Sequence, residues 1–321
     1  MEINLASYLV LCALSLLTAF VYWLYRRQDY FKTHKVPYVD STPLLGSFGD
    51  AFIGKTGIYE QIEKIYQHPN VKGKPYYGMF LFHKPGLMIT EPELIKRMFV
   101  KDFSSFSNRY SSSGDHDPLG YYNLFSIKAP MWKTVRGKLS PFFSSGKLKS
   151  MFYLIDRVSN EMISHVQRKV KSDNKAEVEV KELASLYTTD AVSNCAFGVD
   201  ANSLRNSEGD FRKAGQHIFK VTFWRSFEFP AFFMLPQIMK FFGFKAFSSF
   251  GSSFIENSVT QVMAEREKTG LKRNDLIDTL IELKNSPVTT GGQVLSMDML
   301  MAQAAVFFAA GKFNFFLFTK F

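Results

Sequence analysis

The sequence predicts a mainly α-helical protein with a small N-terminal β-sheet, preceded by one membrane-crossing helix. Three observations carry this. The chain opens on an apolar run with no charged side chain from Ile3 to Tyr25. Downstream segments repeat apolar residues at helical spacing. Extended runs are confined to residues 76–90.

The opening run has the length needed to cross a hydrocarbon core of about 30 Å at 1.5 Å per residue. Phe20, Tyr22, Trp23 and Tyr25 suit the headgroup boundary, and Arg26, Arg27, Lys32 and Lys35 follow. This asymmetry predicts an uncleaved anchor over 1–25 with the rest of the chain on the cytoplasmic face. A cleaved signal peptide should have a basic start and a small-residue cleavage site, and both are missing here. Residues 26–46 read as a basic hinge, because Pro37, Pro43 and Gly46 oppose a regular helix.

A helix is expected over 57–68 with Ile58, Ile62 and Ile65 on one face. Two extended runs follow, Tyr76–Phe82 and Leu87–Thr90, turning at Lys84-Pro85-Gly86, and Glu91–Val100 returns to helix. From Lys147 to Lys171 the stripe Leu148, Met151, Phe152, Ile155, Val158, Met162, Val166 predicts a long amphipathic helix. Helices are also expected over 180–197, 251–268, 274–284 with Asn274 as N-cap, and 296–311 starting at Ser296. A second membrane span over 296–318 is opposed by Gln303, Lys312 and Asn314.

The composition is that of a folded chain, 46% hydrophobic with 34 Phe, and the net charge is +10. Without a nucleic-acid motif, the basic charge points to an anionic membrane face or an acidic protein partner, and no nucleic acid. Two cysteines, Cys12 and Cys195, exclude a disulfide framework. The six histidines lack metal-ligand spacing, so no metal site is expected. Cys195 reads as a small packing residue rather than a reactive thiol.

Gly49 to Thr56 satisfies G-x-x-x-x-G-K-S/T, the phosphate-binding P-loop pattern. The preceding Pro-Leu-Leu-Gly-Ser-Phe is too broken to be the required central strand, so nucleotide binding is a minor alternative. Trp132 and Arg136 are four apart and would share a helix face. Both are donor-only groups suited to an anion, although a surface Trp packed on Arg has the same spacing.

The stretch Met131-Trp132-Lys-Thr-Val-Arg136 to Lys149 resembles the cytochrome P-450 superfamily of heme–thiolate monooxygenases, in its microsomal, insect-type detoxification group. Phe103 to Arg109, Asn194 to Asp200, and Gln303 to Gly311 add to the resemblance in the same order along the chain. It implies a partial cytochrome P-450 fold over 47–311 and a non-family tail over 312–321. It also implies heme b with propionates on Trp132, Arg136 and, more weakly, Arg109. Tyr110, Phe125, Phe307, Ala310 and Gly311 would line a site for a small apolar substrate. The loop 110–125 and the aromatic segment 211–250 would border that site, and the run 229–244 would either dip into the bilayer or pack in the core. NADPH-cytochrome reductase and the endoplasmic-reticulum membrane would be partners.

The resemblance breaks at Lys312. The acid–Thr pair, the E-x-x-R motif and the loop with the iron-ligating Cys are absent, so no catalytic residue is assigned and heme uptake is expected to be small. One reading is translated intron: Gly311-Lys312-Phe313 can be encoded GGU-AAG-UUU, which contains a common splice-donor sequence. A genomic sequence without a donor there would sink this reading. A non-catalytic membrane-bound fragment is the alternative function.

Overall fold

The computed structural model describes residues 5–170, 174–220, 222–285 and 295–318. The parts of the predicted anchor, long helix and tail that fall on residues 1–4, 171 and 319–321 lie outside them. The chain forms two compact units, Met1–Phe106 and Ser107–Phe321.

In the first unit α1 spans Leu5–Gln28, and Tyr8–Gln28 is long and apolar enough to cross a membrane. Arg26 and Arg27 continue this helix rather than opening a hinge, because nothing there interrupts the i→i−4 ladder. A single turn α2, Tyr30–Thr33, follows and buries Phe31 against Phe80, with ring centroids 5.0 Å apart. The rest of the expected hinge is tied to the sheet. Val39 N–H donates to the Gly78 carbonyl at 3.0 Å, and Ser47 N–H to that of Phe80 at 2.8 Å.

The P-loop reading is corrected here. Gly49–Phe52 is one helical turn, α3, with no strand before it. The amides of Lys55 and Thr56, which a phosphate would need, both donate to the Asp50 carbonyl, at 2.9 and 3.3 Å.

Helix α4, Ile58–Tyr66, buries Ile65 and Gln61, while Ile58 and Ile62 are exposed. Gln61 takes the inner position because its Nε2 donates to the Ser47 carbonyl at 2.8 Å. Strands β1, Tyr76–Leu81, and β2, Lys84–Ile89, pair antiparallel from Tyr76↔Ile89 to Leu81↔Lys84. The turn is therefore Phe82-His83, with Phe82 at φ +56°, and Lys84-Pro85-Gly86 lies inside β2. Pro85 is tolerated because β2 is an edge strand. Helix α5, Pro92–Lys96, continues into a π-turn over Arg97–Lys101.

The second unit begins with α6, Pro118–Tyr122, and α7, Met131–Leu139. The long amphipathic helix is α8, Ser145–Gln167, and α9, Val180–Val192, ends in a π-turn over Ser193–Phe197. Helices α10, Asp210–Phe219, α11, Phe223–Met234, and α12, Pro236–Phe242, lead to α13, Ser249–Thr269. On α11 and α12, Ala231, Phe232 and Met239 are buried while Phe229, Phe233, Phe241 and Phe242 are exposed, so this run has one core face and one bare aromatic face.

Helix α14, Leu276–Asn285, is capped by Asp275 rather than Asn274: Asp275 Oδ1 accepts from Asp278 N–H at 3.2 Å, and Asn274 sits at φ +59°. Helix α15 spans Met297–Phe318, and Ser296 caps it as expected, accepting from Met299 N–H at 3.2 Å. Its backbone runs helically past Gly311 to 318.

The core forms around α15. Ala302, Ala304, Ala305 and Phe308 are buried with Ile255, Val259 and Met263 of α13 and Leu276, Ile277 and Leu280 of α14. The small alanines let neighbouring helices approach closely. This burial makes 297–311 a core helix rather than a second span. Gln303 Nε2 donates to the Tyr122 carbonyl at 2.8 Å, fixing α6 to α15.

An ion cluster closes the far side. Arg266 of α13 is buried and donates to Asp275 at 2.5 and 2.6 Å and to Asp278 at 2.7 Å. Burial alone would lower the Arg266 pKa, but the two carboxylates outweigh it and raise it. Gly198, at φ +62°, ends the π-turn directly over this cluster, where a Cβ would overlap the Arg266 guanidinium.

Candidate functional site

Helix α7 buries Met131, Val135 and Leu139, which turns Trp132 and Arg136 together towards one cavity. The cavity has a volume of about 1010 Å³. Phe142 and Phe143 follow α7 into it, and Phe143 stacks on Phe307 of α15 with ring centroids 5.5 Å apart. Leu148, Met151, Phe152 and Ile155 of α8 form one wall, and Val192, Cys195 and Ala196 form another. Val306, Phe307, Ala310 and Gly311 line it from α15. A methyl group on Gly311 would overlap the Val192 side chain, so α15 and α9 can meet this closely only at glycine.

The walls are apolar and the charges have one sign. Arg109 and Arg136 are the ionic groups lining the cavity, and no carboxylate lines it among the described residues. Arg136 has no ion-pair or side-chain hydrogen-bond partner among the described residues. Arg109 is engaged: it donates to the Phe125 carbonyl at 3.1 Å, and its guanidinium lies 4.5 Å from the Phe125 ring centroid. Lys128 braces the same loop, donating to the Ser111 carbonyl at 2.8 Å and to that of Arg109. Burial, then the nearby Arg109 charge, lowers the Lys128 pKa. Burial, then Asp275, pushes the Cys195 thiol up, which disfavours the free thiolate at neutral pH.

Of the residues expected from sequence, Trp132, Arg136, Arg109, Phe125, Phe307, Ala310 and Gly311 come together around this cavity. Tyr110 does not line it; its hydroxyl faces Gln237 Oε1 of α12 at 3.5 Å. The segment 211–250 touches the cavity through Phe125, which packs on Phe232 and Phe233 with ring centroids 6.4 and 5.9 Å apart. Leu148, Phe152 and Ile155 are wall residues that the periodic stripe presents as core. The signal that sets them apart is the exposed Arg136 on the neighbouring helix.

These residues fit part of a heme. A planar apolar ring with two carboxylates needs apolar walls and donor-only groups at one rim, and Trp132, Arg136 and Arg109 supply that rim. Of the two cysteines, Cys12 lies in α1, and Cys195 lines the cavity with its thiol pKa raised by burial.

The cytochrome P450 family model matches residues 42–313. The chain is 42% identical to "Probable cytochrome P450 6g2" of Drosophila melanogaster over 78% of its own length and 50% of the relative's. It is 37% identical to "Probable cytochrome P450 6w1" of the same fly over 92% and 58%, respectively. To "Cytochrome P450 6k1" of Blattella germanica it is 32% identical over 96% and 60%. The chain thus spans 50–60% of the length of these relatives. With that family model spanning most of the chain and relatives of this identity, the chain belongs to the cytochrome P450 family, in its insect-type branch.

Proposed function

We propose that the cavity is the heme-propionate and substrate face of a microsomal monooxygenase acting on small apolar compounds, with NADPH and O₂ as co-substrates. The observation that carries this is an apolar cavity rimmed by Trp132, Arg136 and Arg109 and free of carboxylates among its described lining residues. Heme, when bound, supplies O₂ binding and activation. The protein's own share is threefold: Trp132 and Arg136 hold the propionates, Phe125, Phe307 and Ala310 exclude water, and Gly311 keeps α15 close to α9.

In this reading α1 anchors the chain in the endoplasmic-reticulum membrane with the cavity on the cytoplasmic face. The net charge of +10 suits an acidic reductase. A second reading is a non-catalytic membrane-bound chain: Cys12 lies in α1 and Cys195 in the π-turn after α9, neither within a loop of the iron-ligand pattern.

Hemin titration of the full chain in lipid nanodiscs tests the first reading. Small but saturable Soret absorbance with quenching of Trp132 fluorescence is expected, and both should weaken in R136Q. Unchanged titration in R136Q and W132F would remove the propionate assignment. The reduced carbon monoxide spectrum separates the two readings: a thiolate-type band supports catalysis, and hemin binding without it supports the non-catalytic chain.

A further inference from the structure

The C-terminal end of α1 carries a second, polar concavity in the first unit. It has a volume of about 240 Å³ and is lined by Arg26, Arg27, Asp29, Tyr30, Thr33 and His34. It exists because the chain breaks at Asp29 between α1 and the single turn α2, folding three charged side chains towards one hollow.

The corner's own polar groups are satisfied internally. Thr33 Oγ1 donates to the Asp29 carbonyl at 2.9 Å, and His34 Nδ1 donates to that of Tyr30 at 2.7 Å. The charged groups are not. Among the described residues, Arg26 and the Asp29 carboxylate have no ion-pair or hydrogen-bond partner. Arg27 lies 5.1 Å from the Trp23 ring centroid, which holds its guanidinium without using its N–H donors.

Two guanidinium forks and one carboxylate in one hollow match a ligand with a phosphate at one end and an ammonium at the other. Guanidinium binds phosphate in a bidentate manner, and an ammonium has three donors for a carboxylate. We propose that this hollow binds the headgroup of an amine-bearing phospholipid, its phosphate on Arg26 and Arg27 and its ammonium on Asp29. The proposal rests on the reading of α1 as a membrane helix. In that reading Trp23 and Tyr25 mark the boundary, and the hollow lies one turn beyond it, at the level of the lipid phosphates. A free phosphate would use the two arginines but leave Asp29 opposing it.

The test uses the full chain in phosphatidylcholine nanodiscs doped with phosphatidylserine, phosphatidylethanolamine or phosphatidylglycerol, with retained lipids counted by native mass spectrometry. Retention of the two amine-bearing lipids over phosphatidylglycerol is expected. R26Q/R27Q should lower retention roughly thirtyfold, each cation near the surface contributing about fivefold. R26K/R27K keeps the charge but not the fork and should lose most of the preference. D29N should abolish discrimination between phosphatidylserine and phosphatidylglycerol. Equal retention of those two lipids by the unmodified chain, or wild-type behaviour of R26K/R27K, overturns the site. Displacement of the lipid by inorganic phosphate alone overturns the headgroup assignment. Release of the chain by alkaline carbonate overturns the membrane reading and this proposal with it, whereas an inserted chain without headgroup preference overturns this proposal alone.

Discussion

The guanidinium of Arg109 lies over the ring of Phe125, 4.5 Å from its centroid, and donates to that residue's own carbonyl at 3.1 Å. One side chain thereby fixes both the backbone and the ring of a cavity-wall residue. Arg136, across the same cavity, has no such partner among the described residues. The two arginines should therefore behave differently when an anionic ligand enters.

Replacement R136Q is expected to weaken hemin binding about tenfold or more, the worth of one charge-assisted hydrogen bond. R109Q should weaken it less, and should instead lower stability by about 1 kcal/mol through the loosened Phe125 loop. Parallel hemin titrations and urea unfolding of both variants check this ranking. The reverse order would mean that Arg109 leaves Phe125 on binding.

Removing the buried cation by R266M leaves Asp275 and Asp278 without their partner in the core. A loss of about 3–5 kcal/mol is expected. G198A should also destabilise the fold, since its methyl group meets the same guanidinium. Thermal or denaturant unfolding reads both, and a neutral R266M would show that the cluster contributes little.

Glu161 of α8 accepts from Arg205 at 2.6 Å and from Arg168 at 2.9 Å. The bond from Arg205, ahead of that from Arg168, lowers its pKa from 4.5 to about 2. A depressed folded-state value favours the native state above the unfolded value. The stabilisation is thus complete above pH 4.5 and fades as the pH falls towards about 2. With Arg205 largely solvent-exposed, E161Q should cost about 1 kcal/mol at neutral pH. That cost should shrink across the acid window. A cost that persists at the acid end would assign it to packing instead.

The protonated Cys195 thiol sets a reactivity. In a C12S chain, iodoacetamide should label Cys195 more than tenfold more slowly than a free cysteine at neutral pH. Labelling should accelerate only above the ordinary thiol value of 9.0. An apolar ligand in the cavity should slow it further. Rapid labelling at neutral pH would contradict the burial of this thiol.

Much of the fold is legible in the sequence because helical spacing records which faces are apolar. It does not record what those faces meet. The stripe on α8 divides, Val158 into the core, Met151 buried at the cavity wall, and Leu148, Phe152 and Ile155 exposed along the cavity or surface, although all share one period. Gln61 displaces Ile62 from the interior because of a hydrogen bond to a residue 14 positions earlier, beyond the reach of any local pattern. Lys84-Pro85-Gly86 has the composition of a turn, yet pairing across the hairpin draws it into β2 and leaves Phe82 with the positive φ. At the site, the Trp132–Arg136 spacing was readable because four residues is one helical turn. Arg266, Asp275 and Asp278 left no trace, since charged residues at a helix end and a loop look like surface until the fold closes over them.

The close meeting of Gly311 and Val192 imposes a rule of paired substitution. Any relative that carries a side chain at position 311 must shrink the residue facing it at 192 or move one helix away from the other. Two positions 119 apart in the chain should therefore vary together, and the volume they share would set the width of the cavity from one relative to the next.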